Sequence, residues 1–378
     1  MQKSVNAGKV AAALADYAGG APFKALIGLD GFVDEILHVV DKRQDAENFT
    51  KVGTLSALGG RISRAAGLST NIELVSLTQK LGGNGPIMAN AMSKQGVSVS
   101  YVGALGAAAI HPVFREMGDK CELVPIADPG LSFNLEFDDG KLIMSKLDSL
   151  NKITWGALKE KFGCARLAEM IGGVDLLGLV NWVMIPYLSD VFKGIIDEVF
   201  PLIEKRGGLA FFDLCDPEKR LKEDLAEALR LIIRFKDRFR TVLGVNLKEA
   251  VQVAAALDVE GFSAAEIPVE SVNLEELTVK TGKALGIYGF VIHTVSDASA
   301  YSDGAYHHSP GYFTPHPKLT TGAGDNFNAG LCLGMLLGLP VSESLLLGTA
   351  SSGYYVREAK SADIAGLISF LNEVETVE

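Results

Sequence analysis

Thr320-Thr321-Gly322-Ala323-Gly324-Asp325-Asn326 joins two chemistries in one short stretch. Gly322 and Gly324 let the backbone approach a ligand closely and take positive φ. The residues that follow, Phe327 to Leu339, are apolar and almost free of charge. The glycines therefore open onto a buried helix whose first N–H groups lack partners. Such an end binds anions. Asp325 stands in the same turn, where a carboxylate would repel a phosphate that was merely held. It makes sense if Asp325 takes a proton from a hydroxyl while the N–H groups of Gly322, Ala323 and Gly324 hold charge growing on a phosphoryl group. A glycine-softened helix start with Asp325 as a cap residue fits the same letters.

Three other stretches carry side chains that could serve such a reaction. The apolar run from Phe23 to Val33 predicts a buried strand, with Asp30 and Asp34 at its end. Open α/β sheets place ligand groups there, although a turn plus a cap reads equally well. Gly82-Gly83-Asn84-Gly85 precedes a helix expected over Pro86 to Gln95, with Pro86 in the first turn and Gly96 as the stop. This turn can hold hydroxyls or phosphate, or be plain turn chemistry. Asn246-Leu247-Lys248-Glu249 falls where a strand meets a helix. It is an ordinary capping pair, or an Asn and a carboxylate aimed at the waters of a magnesium ion. No Gly-x-x-x-x-Gly-Lys-[Ser/Thr] occurs, and no Gly-x-Gly-x-x-Gly follows the first strand. His307-His308 is expected in a solvated loop.

The elements that position these residues follow from hydrophobic patterning. From Val174 onward short apolar runs alternate with helical patterns, which predicts a parallel sheet covered on both faces. The runs are Val174–Val180, Leu209–Asp213, Thr241–Val245 and Tyr288–His293. Leu131–Phe137 and Lys141–Lys146 flank Asp138-Asp139-Gly140, a hairpin signal. The stretch from Ile36 to Gln79 is less regular: a strand over Ile36–Val40, a helix over Thr54–Ala66, a strand over Asn71–Leu77. These pieces predict one α/β domain, 1–378, a doubly wound and mostly parallel sheet flanked by helices. A small β lid is inserted at about 36–80 and 121–147.

At 378 residues, 48% hydrophobic and with a formal charge of −11, the chain can build a large core and is a poor candidate for nucleic-acid binding. Cys121, Cys164, Cys215 and Cys332 are widely spaced, as for free thiols in a reducing compartment. No apolar run reaches the length of a membrane span. A cytoplasmic protein with no membrane partner is expected.

Taken together, the motifs resemble the ribokinase-like (PfkB-type) carbohydrate kinase family. Thr321 to Gly330 is similar to its C-terminal signature, and Leu81 to Gly85 with Ala89, Ala91 and Gly96 to its N-terminal glycine-rich one. Asn246-x-x-Glu249 resembles its magnesium motif, and Asp34-Glu35-Ile36 its substrate aspartate. The resemblance implies phosphoryl transfer from ATP with Mg²⁺ to a hydroxyl of a sugar or related polyol. Asp325 would be the base and Gly322 to Asp325 the anion hole. Asp34, Asp30, Gly82, Gly83 and Asn84 would face the substrate. Thr321, Asn246 and Thr294 would face the nucleotide, and Asn246 with Glu249 would order Mg²⁺ through water. A homodimer paired through the lid is also implied. A nucleoside or phosphosugar kinase, served by Arg43, Arg61 and Arg64, and a weakly catalytic sugar or nucleotide sensor are the alternatives. Four departures stand out: Ile87 where the family has Asn, Leu319 where it has Asp, a long interval from Asp34 to Gly82, and His293-Thr294-Val295-Ser296-Asp297 on the nucleotide side.

Overall fold

A computed structural model describes residues 2–18, 20–118, 121–204, 207–262 and 271–376. The first half contains α1 (Gln2–Tyr17), β1 (Lys24–Leu29), β2 (Phe32–Arg43), β3 (Phe49–Lys51), α2 (Leu55–Arg64), β4 (Leu74–Gly82) and α3 (Asn84–Lys94). Then come β5 (Ser98–Gly103), α4 (Arg115–Gly118), β6 (Cys121–Pro125), β7 (Gly130–Phe137), β8 (Gly140–Lys146) and α5 (Trp155–Gly172). The second half runs β9 (Leu176–Leu179), α6 (Leu188–Gly194), β10 (Leu209–Asp213), α7 (Lys222–Arg234), β11 (Arg240–Asn246), α8 (Leu247–Ala256) and α9 (Leu274–Leu285). It closes with β12 (Gly289–His293), β13 (Asp297–Ser302), β14 (Ala305–Pro310), α10 (Ala323–Leu336), α11 (Val341–Glu358) and α12 (Ile364–Glu373).

Among the described residues the large sheet has nine strands in the order β14-β13-β12-β11-β10-β9-β1-β5-β6. It is parallel from β6 to β12, with β13 and β14 antiparallel at one edge. Strand alternation makes it two-faced. Neighbours Phe211 and Phe212 on β10 enter different cores, one with Met88 and Phe327, the other with Phe192 and Phe235. The order reverses at β1. From there the chain moves outward through β5 and β6, then returns beside β1 as β9. That reversal opens a crevice beyond the carboxyl ends of β1 and β9, the place where such sheets bind ligands.

The second sheet has order β3-β2-β7-β8, with β4 also paired to β2. It begins only two residues after β1, so the lid grows directly out of the central strand. Asp34 pairs with Ser132 of β7 on one side and Lys80 of β4 on the other. Leu37, Val39, Val52, Leu58, Leu135 and Phe137 form its own small core.

Several boundaries differ from the sequence-based expectation. Residues 121–125, expected in the lid, are β6 and pair with β5 in the large sheet. Cys121 and Leu123 pack into one core and Val124 into the other, so this strand is apolar on both faces. The strand expected over Asn71–Leu77 is β4, shifted toward Gly82. His307 and His308 lie on edge strand β14, not in a loop.

Candidate active site

Gly322, at φ 94° and ψ 0°, forms the N-cap of α10. A Cβ there would lie 2.8 Å from the Tyr355 hydroxyl and 3.3 Å from Ile87 Cδ1. The glycine is thus required by both conformation and space. Ile87 sets an apolar group against the turn. Tyr355 donates to the Thr321 carbonyl at 2.9 Å, and the Asn326 amide to the Gly322 carbonyl at 2.9 Å. Asp325 is buried in the first turn that follows. Burial first, and then the charges of Asp213, Asp30 and Glu249, push its carboxyl well above the usual carboxylate range. Asn84 hydrogen-bonds it and opposes that shift. The Ala323 N–H, expected in the anion hole, instead donates to the Thr320 carbonyl at 3.1 Å as the turn closes on itself. A carboxylate beside the other N–H groups of such a helix end can accept a hydroxyl proton while they hold an anion.

Asn84 joins this turn to the other glycine signature. Gly83 stands at φ 95° as the N-cap of α3, and a Cβ on it would lie 2.6 Å from Asp30 Oδ2. A Cβ on Gly82 would overlap the Asp34 carboxylate. Asp34 is pushed up to about 6, mainly by burial, with Lys80, Ser132 and Lys141 opposing. Gly82 thus lies against Asp34 and Gly83 against Asp30, and Asn84, next in the chain, links this turn to Asp325.

Asp30 behaves differently from expectation. It is fully buried and accepts from the Gly85 N–H at 3.0 Å, the Asn181 amide at 2.6 Å and the Tyr101 hydroxyl at 3.2 Å. With both oxygens engaged inside the protein, it positions the glycine turn and has no lone pair aimed at a substrate. Arg43 and Arg61 are likewise committed. Arg43 pairs with Glu73, and Arg61 donates to the Val40 and Asn71 carbonyls, so both hold the lid together.

On the other side of Gly324 lies a largely apolar cavity of about 510 Å³, lined by Asn246, His293, Thr294, Tyr312, Gly324 and Phe327, among others. Asn246 and Thr294 are where the sequence reading puts them. Thr321 is not: Thr320 lines the cavity, while Thr321 Oγ1 faces the lid and accepts from Lys141 Nζ at 3.1 Å. His293, which sequence reasoning missed, lies against Gly324 and stacks near Phe327. Burial lowers its imidazole to about 4, so it lines the cavity as a neutral ring. Its position at the end of an apolar strand was the available signal.

Asn246 and Glu249 form a complete capping box, with Glu249 N–H to Asn246 Oδ1 and Asn246 N–H to Glu249 Oε2, both 2.9 Å. Glu249 Oε1 also accepts from the Asp216 N–H at 2.8 Å. The two readings left open by the sequence are therefore not exclusive, since the cap fixes the carboxylate at the strand end. Asp213, another residue not singled out from sequence, ends β10 beside it. Burial and the Glu249 charge push Asp213 up to about 8. Asn328 Oδ1 is buried there without a protein partner. Among the described residues, no three His, Cys, Asp or Glu side chains gather as a direct metal ligand set. Hard oxygen acceptors and uncompensated negative charge suit Mg²⁺ held largely through its waters, so the residues present fit that ion.

Known proteins resemble this chain in sequence and fold. A family model described as prokaryotic ketohexokinase matches residues 15–374. A ketohexokinase from Haloferax volcanii is 29% identical over 336 residues, covering 88% of this chain and 87% of that protein. Among solved structures, an Arabidopsis thaliana ribokinase complexed with ribose and ATP superposes with a TM-score of 0.64 at 16% identity, covering 93% of this chain and 99% of the other. A Thermotoga maritima ribokinase gives 0.61 at 15%, covering 93% and 100%. The match over nearly the whole length, on a ribokinase-like fold with both glycine signatures meeting at Asp325, places this chain in the prokaryotic ketohexokinase family, as a carbohydrate kinase that phosphorylates an alcohol group.

Proposed function

We propose that the chain transfers the terminal phosphoryl group of ATP to a hydroxyl of a ketohexose, with fructose the first substrate to test. The observation that carries this reading is the burial of Asp325 in the first turn of α10, where Asn84 of the other glycine turn hydrogen-bonds it. Asp34, Asn84 and the backbone at Gly82 and Gly83 orient the sugar hydroxyls. Asp325 takes the proton as the hydroxyl oxygen forms its bond to phosphorus. The N–H groups of Gly322, Gly324 and Asp325 then meet the charge on the transferring group, so catalysis is mostly positioning and electrostatics. The cavity beyond Gly324 would take the nucleotide, with Asn246 and Thr294 at its edge. Magnesium, when bound, neutralises phosphate charge, and Asn246 and Glu249 would order it through water. The haloarchaeal relative and the family description direct the acceptor toward a ketohexose.

A homodimer through the lid is part of this reading. Leu142, Ile143 and Met144 are exposed on the edge strand β8, and Leu77 on β4 at the other edge, where sheet edges need covering.

The experiment is a coupled assay with ATP and Mg²⁺ over fructose, other ketohexoses, aldoses, nucleosides and sugar phosphates. Turnover highest on a ketohexose is expected. No turnover on any sugar would sink the kinase reading, and preference for a nucleoside or sugar phosphate would sink the acceptor.

A further inference from the structure

We propose that Lys141 is a further catalytic residue, a lid-borne cation that binds the transferring phosphoryl group at the Gly322–Asp325 turn. The proposal rests on reading that turn as the transfer site. Lys141 belongs to β8, the outermost strand of the lid path, yet its Nζ lies 3.1 Å from the hydroxyl of Thr321, next to Gly322. The lid therefore already touches the catalytic turn, and does so through a cation.

The partners of that cation make its resting place informative. Its nearest acceptor is a neutral hydroxyl. The nearest carboxylate, Glu136 Oε1, is 3.8 Å away and 38% exposed, so water screens it and the pair is weak. The ammonium stands close to the N-terminus of α10, whose dipole disfavours positive charge. An anion between the two would pair with both. Lys141 also favours the charged form of Asp34, as Lys80 does more strongly, so the cation at the anion turn also neighbours the acceptor carboxylate.

In phosphoryl transfer, charge spreads over three equatorial oxygens. The N–H groups of the turn approach from the helix side. A point charge with three donors on a flexible stem can meet oxygens left open on the lid side. Lys248, at the nucleotide cavity, is paired with Glu218 and Asp216 and is held outward by them. In the step itself, the sugar oxygen bonds to phosphorus and the bond from phosphorus to the ADP oxygen breaks. The proton goes to Asp325, and Lys141 donates hydrogen bonds without transferring a proton.

The test uses the full chain with MgADP and aluminium fluoride, a mimic of the transferring group, titrated by calorimetry in saturating fructose. Lys141→Met should weaken this complex at least tenfold and lower kcat about 10²-fold, the scale for losing one oxyanion donor. The KM for fructose should stay within about twofold, a split that general loosening of the lid would not give. Lys141→Arg should recover most of the loss. Glu136→Gln, which removes only the exposed pair, should change neither quantity. Equal affinity in wild type and Lys141→Met would overturn the lysine's role and leave the reading of the turn standing. If the wild-type chain itself fails to bind MgADP with aluminium fluoride, the reading of the turn fails, and this proposal fails with it.

Discussion

Asn181 donates its side-chain amide to Asp30 Oδ2 at 2.6 Å, so the ends of β1 and the segment after β9 share one buried carboxylate at the switch point of the sheet. Asn181 holds a left-handed backbone at φ 61°. Its own Oδ1 is buried without a partner.

This arrangement makes stability depend on pH in a defined direction. Burial raises Asp30 from 3.8 to about 6. A raised carboxyl favours the folded state below the unfolded pKa, and that contribution is lost as pH rises through the folded one. Between about pH 4 and 6 the unfolded chain has released the proton and the folded chain has not. Stability should therefore fall by up to ~1.4 kcal/mol per pH unit from this group. Asp30→Asn should flatten that slope. The new amide can donate to Asn181 Oδ1 if Asn181 turns over, so the variant should fold. Urea titrations of both proteins from pH 4 to 7 check this; parallel slopes would exclude Asp30 as the source.

Asp325→Asn should reduce kcat by about 10²–10⁴-fold, the usual cost of a lost general base. The amide is isosteric and uncharged, and the folded protein already disfavours charge at this position. The melting temperature of the ligand-free variant should therefore equal or exceed that of the wild type. Near-wild-type kcat on a good substrate would remove Asp325 from the proton transfer.

Gly82→Ala isolates the acceptor side. Gly82 needs no unusual backbone conformation, yet a methyl group there would overlap Asp34. The carboxylate must swing away, losing a charge-assisted hydrogen bond to the sugar of about 1.5–3 kcal/mol. The KM for fructose should rise roughly 10–100-fold, while nucleotide affinity measured in the absence of sugar stays constant. An unchanged KM would detach Asp34 from the sugar.

The residues to which chemistry is assigned were legible because their signals are local. Glycines, an Asp and an apolar helix in one window announce the Asp325 turn, and the apolar run Leu209–Asp213 announces a buried strand. The supporting contacts were not legible because they are long-range. Asp30 looked like a ligand group until Asn181 and Tyr101 arrived from other strands. Lys141 reads in sequence only as the start of a hairpin strand, and the fold alone brings it against Thr321. Residues 121–125 were too short a run to separate from the lid hairpin after them. Their place in the large sheet depends on pairing with β5.

Glu249 carries the last expectation. Its two oxygens accept from the Asn246 and Asp216 N–H groups, so it is a structural cap whatever else it does. Glu249→Gln keeps one acceptor oxygen and replaces the other with a donor facing an N–H group. That should cost about 1–2 kcal/mol of stability, as for other lost caps. If the cap also serves to present negative charge to magnesium waters, the variant should need several-fold more Mg²⁺ for half-maximal rate at fixed ATP. The two effects separate cleanly, because stability is read without nucleotide and the Mg²⁺ titration is read with it. A destabilised variant with an unchanged Mg²⁺ titration would leave Glu249 as a cap alone and shift the ordering of metal-bound water to Asp213 and Asn328, which meet at 3.0 Å beside it.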